Sequence, residues 1–74
     1  MRVRVKYTLH NSRDGLVKWE DAIAEHLNVE LMSYVDAGTE GEWIGDDETG
    51  CGGYIKCDDG NESYVPFEYC EVIG

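Results

Sequence analysis

Residues 53–66 constrain the fold of this chain more than any other stretch. Two β-prone runs, 53–57 and 62–65, flank Asp58-Asp59-Gly60-Asn61. Asp, Gly and Asn tolerate the positive φ angles of a tight turn, so the stretch reads as a hairpin. Pro66 cannot donate to a ladder and pushes Val65 towards an extended conformation, so the second strand is expected to stop there. A last strand over 69–73 would then complete a three-strand meander.

A strand, an Asp-Asp-Gly turn, a strand ending in Tyr64-Val65-Pro66, a short turn and then Cys70-Glu71-Val72-Ile73 together resemble the C-terminal half of SH3-like small barrels, including SH3 and Tudor-type modules. In those families a Val-Pro pair leads into a short 3₁₀ turn before the final strand, and an aromatic follows, as Tyr69 does here. Glu42-Trp43-Ile44-Gly45 is similar to the segment that opens the middle sheet of an SH3 domain. The resemblance implies a curved antiparallel sheet. It covers about 30 residues. Residues 2–9 lack the aromatic-rich Ala-Leu-Tyr-Asp-Tyr pattern and a helix is expected before Trp43, so proline-peptide and methyl-lysine binding are not carried over.

At 74 residues the chain is long enough for one domain and one small core, with a stability of about 5 kcal/mol. It carries 16 Asp and Glu against 6 Lys and Arg, a formal net charge of −10. Such a surface repels nucleic acid and anionic membrane, so direct binding to either is not expected. The charge is also uneven: residues 1–19 have a balance of +4 and residues 20–74 a balance of −14. No apolar run approaches the length of a membrane span, and three cysteines do not close a disulfide framework; a reducing, cytoplasmic setting is expected.

Residues 2–9 alternate, with Val3, Val5, Tyr7 and Leu9 on one face and Arg2, Arg4, Lys6 and Thr8 on the other, which predicts one half-buried strand. Its cations are expected to pair with acids of the same chain rather than with a ligand. Residues 10–15 read as a loop. Leu16, Trp19, Ile23 and Leu27, with Ala22, then predict one apolar helical stripe packed on the sheet, with Glu20 and Asp21 in its first turn and Asn28 as its stop. Trp19 is expected in the core. Residues 29–36 read as a second strand, 42–45 as a short one, and 46–53 as an acidic, glycine-rich loop of the kind that carries function. The fold class is therefore α+β: a small curved antiparallel sheet of about five strands with one helix.

No set of residues announces chemistry. Cys51, Cys57 and Cys70 contain no Cys-x-x-Cys pair, and His10 and His26 lie far from them in sequence, so no metal or cofactor is expected. Cys57 and Cys70 read as small buried hydrophobes, and the acids near Cys51 would make it a poor nucleophile. The acidic runs do not follow the EF-hand pattern, and the glycines at 50, 52 and 53 lead into a strand rather than a phosphate-binding helix. An enzyme is not expected.

A small, acidic chain of this kind works by occupying a surface. The expected role is a protein-binding regulator or inhibitor that docks on the basic surface of a larger nucleic-acid enzyme. Glu42, Asp46, Asp47, Glu48, Asp58 and Asp59 would supply the field, and Trp43, Tyr54 and Phe67 the anchoring contacts. In size and charge the chain resembles small acidic phage-encoded regulators of host RNA polymerase. Two alternatives stand beside it: a DNA mimic, which needs a nearly continuous carboxylate stripe, and an SH3-like accessory module that binds a peptide by strand addition or in an aromatic groove.

Overall fold

The computed structural model describes residues 1–13 and 15–74. Along the chain these form β1 (Arg2–Val5), β2 (Leu9–Ser12), β3 (Gly15–Lys18), α1 (Trp19–Ala24), β4 (Glu40–Asp46), β5 (Gly52–Cys57), β6 (Glu62–Pro66), a 3₁₀ turn (Phe67–Tyr69) and β7 (Cys70–Val72). Five strands make one antiparallel sheet in the order β6-β5-β4-β1-β7, and β2 pairs with β3 in a separate hairpin. The architecture is thus mostly antiparallel sheet with one short helix.

The β5–β6 hairpin has the expected form. Tyr54 faces Tyr64 and Ile55 faces Ser63. In the turn, Gly60 takes φ +98° and the Asp59 carboxylate accepts the Asn61 N–H at 2.9 Å. Pro66 lies on an edge strand, where a missing N–H costs no ladder bond. The expected meander with the last strand is corrected: β7 does not pair with β6 but crosses to the far side of the sheet and pairs with β1, Arg4 opposite Glu71 and Val5 opposite Cys70. The consecutive meander is instead β4–β5–β6. The 3₁₀ turn makes the crossing, because Pro66 ends the ladder and the chain must change direction there.

The single strand expected over 2–9 is two. Its alternation is kept in burial, with Val3, Val5 and Leu9 buried and Tyr7 packed against them. Yet beyond Val5 the backbone changes partners: the Trp19 N–H donates to the Thr8 carbonyl and the Ala37 N–H to the Thr8 hydroxyl. Period two records which way a side chain faces, not which strand lies beside it. The loop expected over 10–15 is largely strand, closed into a hairpin with Gly15 at φ +118°; Asp14 lies outside the described residues.

The helix is shorter than its apolar spacing suggests. Leu16 belongs to β3, and α1 buries only Ala22, while Ile23 and Leu27 stay largely exposed. Its stripe does not cover the five-stranded sheet. Glu20 and Asp21 do occupy its first turn, but His26, not Asn28, ends it. His26 takes φ +55°, the Leu27 N–H donates to the Ala22 carbonyl at 2.9 Å and the His26 N–H to the Ile23 carbonyl at 3.3 Å. That is a Schellman cap with histidine where glycine is usual.

Residues 29–36, expected as a strand, make only two bridges, Val29 with Ser12 and Val35 with Leu9. They drape over the β2–β3 hairpin rather than joining a sheet. His10 fastens them: it is buried, its Nδ1–H donates to the Glu30 carbonyl at 2.6 Å, and its ring lies 4.4 Å from that of Trp19. Trp19 itself is partly exposed and covers the histidine instead of filling the core.

The core is Val3, Val5, Leu9, Val35, Ile55, Cys57 and Val65, with Leu16, Trp43, Tyr69 and Cys70 packed on it. Five of these are almost wholly shielded, each contributing about 2 kcal/mol of burial before chain entropy is counted. β4 and β5 approach closely over it because Gly41 has no side chain; a Cβ there would lie 2.8 Å from the Lys56 carbonyl carbon and 2.9 Å from Cys57 Cα.

Candidate protein-binding surface

The end of the β4–β5 hairpin gathers several of the residues singled out from the sequence. A register shift between Trp43 and Gly45 leaves Ile44 bulged out and exposed. Bulges re-aim side chains, and here the result is a tilt of Trp43 across the hairpin. Its ring stacks on Phe67 of the 3₁₀ turn at 5.1 Å, and its indole N–H donates to Asp46 at 2.9 Å. The indole fits only because residue 53 is glycine: a Cβ on Gly53 would lie 2.5 Å from the Gly45 carbonyl oxygen and 2.8 Å from the Trp43 ring. The Phe67 N–H donates to the Cys51 carbonyl at 3.0 Å, tying the turn to the hairpin.

Phe67 is 41% exposed and Tyr54 48%. Tyr54 sits edge-on to Tyr64 at 5.6 Å and shares an open cleft of about 370 Å³ with Asp46, Asp47, Glu48 and Thr49. Asp47 faces inward chemically. It accepts the Gly50 N–H at 2.9 Å and the Thr49 hydroxyl at 2.9 and 3.0 Å. Desolvation pushes its carboxyl up, but hydrogen bonds from Thr49, Tyr64, Gly50 and Gly52 outweigh it and hold the group below the usual carboxylate range. Asp47 therefore builds the turn, while Asp46 and Glu48 are both exposed and Asp46 fixes the tryptophan.

Glu42 and Asp58 lie elsewhere, on the outer face of the sheet. Arg2, Glu42, Lys56 and Glu62 stand in one cross-strand row, and Glu71, Arg4 and Glu40 in the next. Arg2 makes two 2.8 Å bonds to the Asp58 carboxylate, and these hold the Asp58 carboxyl below its ordinary range against desolvation. Arg4 bonds Glu40 at 3.3 Å and Glu71 at 3.2 Å, while Glu42 receives the N-terminal amine at 3.1 Å. Arg2 and Arg4 thus pair with acids of the chain as expected, whereas the Lys6 ammonium lies 5.7 Å from the Tyr7 ring. Asp59 sits in the β5–β6 turn and borders a separate cleft with Asp36 and Ser33.

Comparison of the chain with known protein families, with curated proteins and with solved structures yields no match.

Among the described residues, no three His, Cys, Asp or Glu side chains cluster closely enough to hold a metal ion, and no helix is long and apolar enough to cross a membrane. The cysteines are free thiols: Cys57 is buried with its Sγ 3.8 Å from the Ser63 hydroxyl, Cys70 is half-buried, and Cys51 is exposed. Burial pushes the Cys70 thiol up, with Lys6 opposing weakly.

A second aromatic site was not visible in the sequence. Tyr7 and Tyr69 meet edge to face at 6.0 Å, and the Lys18 ammonium lies 4.6 Å from the Tyr7 ring and 5.9 Å from that of Tyr69. Tyr7 and Lys18 border an open cleft of about 270 Å³ with Trp19 and Glu20. The three residues come from β1's continuation, β3 and the 3₁₀ turn, and no local spacing relates them; only the aromatic that follows Val65-Pro66 pointed towards Tyr69.

Proposed function

We propose that this chain is a non-enzymatic acidic regulator that binds a protein with a basic surface, built on an SH3-like curved sheet. The fold assignment is supported by the 3₁₀ turn between Pro66 and Cys70 and by the strand that follows it. The observation that carries the function is the Trp43–Phe67 stack, pinned by Asp46 and next to the exposed Ile44 bulge, with Tyr54 and Glu48 sharing a cleft at the same end of the hairpin. A rigid, partly exposed aromatic pair loses little entropy on binding, and the acids beside it accelerate encounter with a cationic partner.

The partner class suggested by size and charge is a nucleic-acid enzyme in the cytoplasm, host RNA polymerase being the case that small acidic phage-encoded regulators exemplify. Arg2, Arg4 and Lys56 interleave with the acids of the outer face. An alternating face is a poor imitation of a phosphate backbone, which disfavours the DNA mimic.

The test is binding of the labelled protein to purified bacterial RNA polymerase at low and high salt, alongside Phe67→Ala. Saturable binding that slows in salt and weakens in the variant is expected. No binding to the polymerase removes that partner, and equal binding by Phe67→Ala removes the surface.

A second function, peptide binding in an aromatic groove, is favoured by the open cleft that Tyr7 and Trp19 line, with Tyr69 packed edge-on to Tyr7. Strand addition at β6 has less support, since the Tyr64 N–H already donates to the Tyr34 hydroxyl at 2.7 Å and Pro66 has no N–H.

A further inference from the structure

A separate surface, which shares no residue with the Trp43 face, carries a proposal of its own. α1 and the segment after it line an open groove of about 450 Å³ with Trp19, Ile23, Leu27 and Leu31. Ile23 is 56% exposed, Leu31 90% and Met32 82%. These are not residues of a loose tail. The Glu30 N–H donates to the Asn11 carbonyl at 3.0 Å and the Tyr34 N–H to the Leu9 carbonyl at 2.8 Å, so Leu31 and Met32 are held out between two backbone anchors. The Schellman cap at His26 turns the chain so that Leu27 and Leu31 line the groove with α1.

Charge decides what this groove can accept. Residues 19–36 contain Glu20, Asp21, Glu25, Glu30 and Asp36 and no Lys or Arg, and all five acids are exposed. Of the cations near this segment, Lys18 is engaged by Asp21 at 3.6 Å and Glu20 at 3.8 Å, and Arg13 borders a neighbouring cleft with Asn28, Val29 and Glu30. The groove itself is lined by apolar residues with His26 and Asn28, and set in so acidic a segment it repels a second copy of a chain with net charge −10, as it does anionic membranes and nucleic acid. It complements an amphipathic helix whose apolar stripe is flanked by Lys and Arg, the helix-in-groove mode of recognition.

We propose that the groove between α1 and residues 27–31 docks a basic amphipathic helix of a partner protein, with Leu31 and Met32 as the outer apolar contacts.

The probe is a synthetic helical peptide made only of Leu and Lys at amphipathic spacing, titrated into isotopically labelled protein and followed by NMR and calorimetry. Amide shifts confined to residues 19–32 are expected, with affinity lowered about tenfold or more by Leu31→Ser/Met32→Ser. Both positions are exposed, so the variant should keep the parent's circular dichroism. The same peptide with Glu for Lys should not bind. Shifts centred on Trp43 and Phe67, unchanged affinity in the double variant, or no binding would each overturn the proposal. So would sedimentation showing that the chain pairs with itself through Leu31 and Met32, or capture of the protein by phosphatidylcholine vesicles that depends on them.

Discussion

Two glycines of β4 offer a matched test of how closely the sheet is packed. Alanine at Gly41 would place its Cβ within 2.9 Å of three backbone atoms of Lys56 and Cys57, and backbone on a central strand cannot rotate aside. At Gly45, four positions further along the same strand, an added Cβ meets nothing within 4 Å. Overpacking of this kind costs about 1 to 3 kcal/mol; because the atoms met are backbone, the upper end applies. Gly45→Ala instead removes backbone freedom from the unfolded chain and should stabilise by about 0.5 to 1 kcal/mol. With a total of about 5 kcal/mol and a urea slope near 1 kcal/mol/M for so small a domain, Gly41→Ala should lower the midpoint by about 3 M. Gly45→Ala should raise it by about 0.5 M. Urea titration followed by far-UV circular dichroism reads both. Equal midpoints for the two variants would refute the close approach of β4 and β5.

Four further predictions follow from particular contacts. His26→Gly should raise stability by about 1 kcal/mol, read by thermal melting, because glycine adopts the left-handed cap without a Cβ penalty. Asp58 titrates below its unfolded value in the folded chain, so its pairing with Arg2 stabilises above about pH 4 and is lost as pH falls through the folded value. The gap in stability between the parent and Asp58→Asn should therefore close in acid, and a gap constant down to about pH 2 would contradict that pairing. Asp47→Asn should loosen the β4–β5 turn, seen as faster amide exchange at Gly50, whereas Glu48→Gln should leave exchange unchanged and slow association with a basic partner. Ile55→Val, which removes one methylene from a wholly buried side chain, should cost about 1 kcal/mol in the same urea assay.

What the sequence disclosed was whatever is encoded locally. The β5–β6 hairpin was legible because Asp58-Asp59-Gly60-Asn61 carries its own turn chemistry, and the β4 segment because Trp43 and Ile44 sit between glycines. The pairing of Arg2 and Arg4 with acids of the chain was legible from charge alone. The partner of β7 was not, since nothing in Cys70-Glu71-Val72 distinguishes β1 from β6 as a neighbour. The helix was overextended because Leu16 falls by coincidence at helical spacing from Trp19, although it closes a hairpin. His26 was missed as a cap because histidine is an uncommon occupant of that conformation. Of the candidate surface, the sequence named Trp43, Asp46 and Phe67 but could not bring them together: 20 or more residues separate Phe67 from the other two, and the contact depends on the absence of a side chain at Gly53. Glu42, Asp47 and Asp58 were named for their charge, yet each is engaged by a group of its own chain.

The crossing of the 3₁₀ turn also governs the order in which the molecule can assemble. β1 lies between β4 and β7, and the Arg4–Glu71 pair joins residues 67 positions apart. A chain emerging from the ribosome can close β4 on β5 and β5 on β6 as soon as each is made, but β1 must wait for the last strand to gain its second neighbour. Contacts of such long separation form late and slowly. Until then Val3 and Val5 remain half covered, and during that interval an unfinished copy is open to the wrong partner.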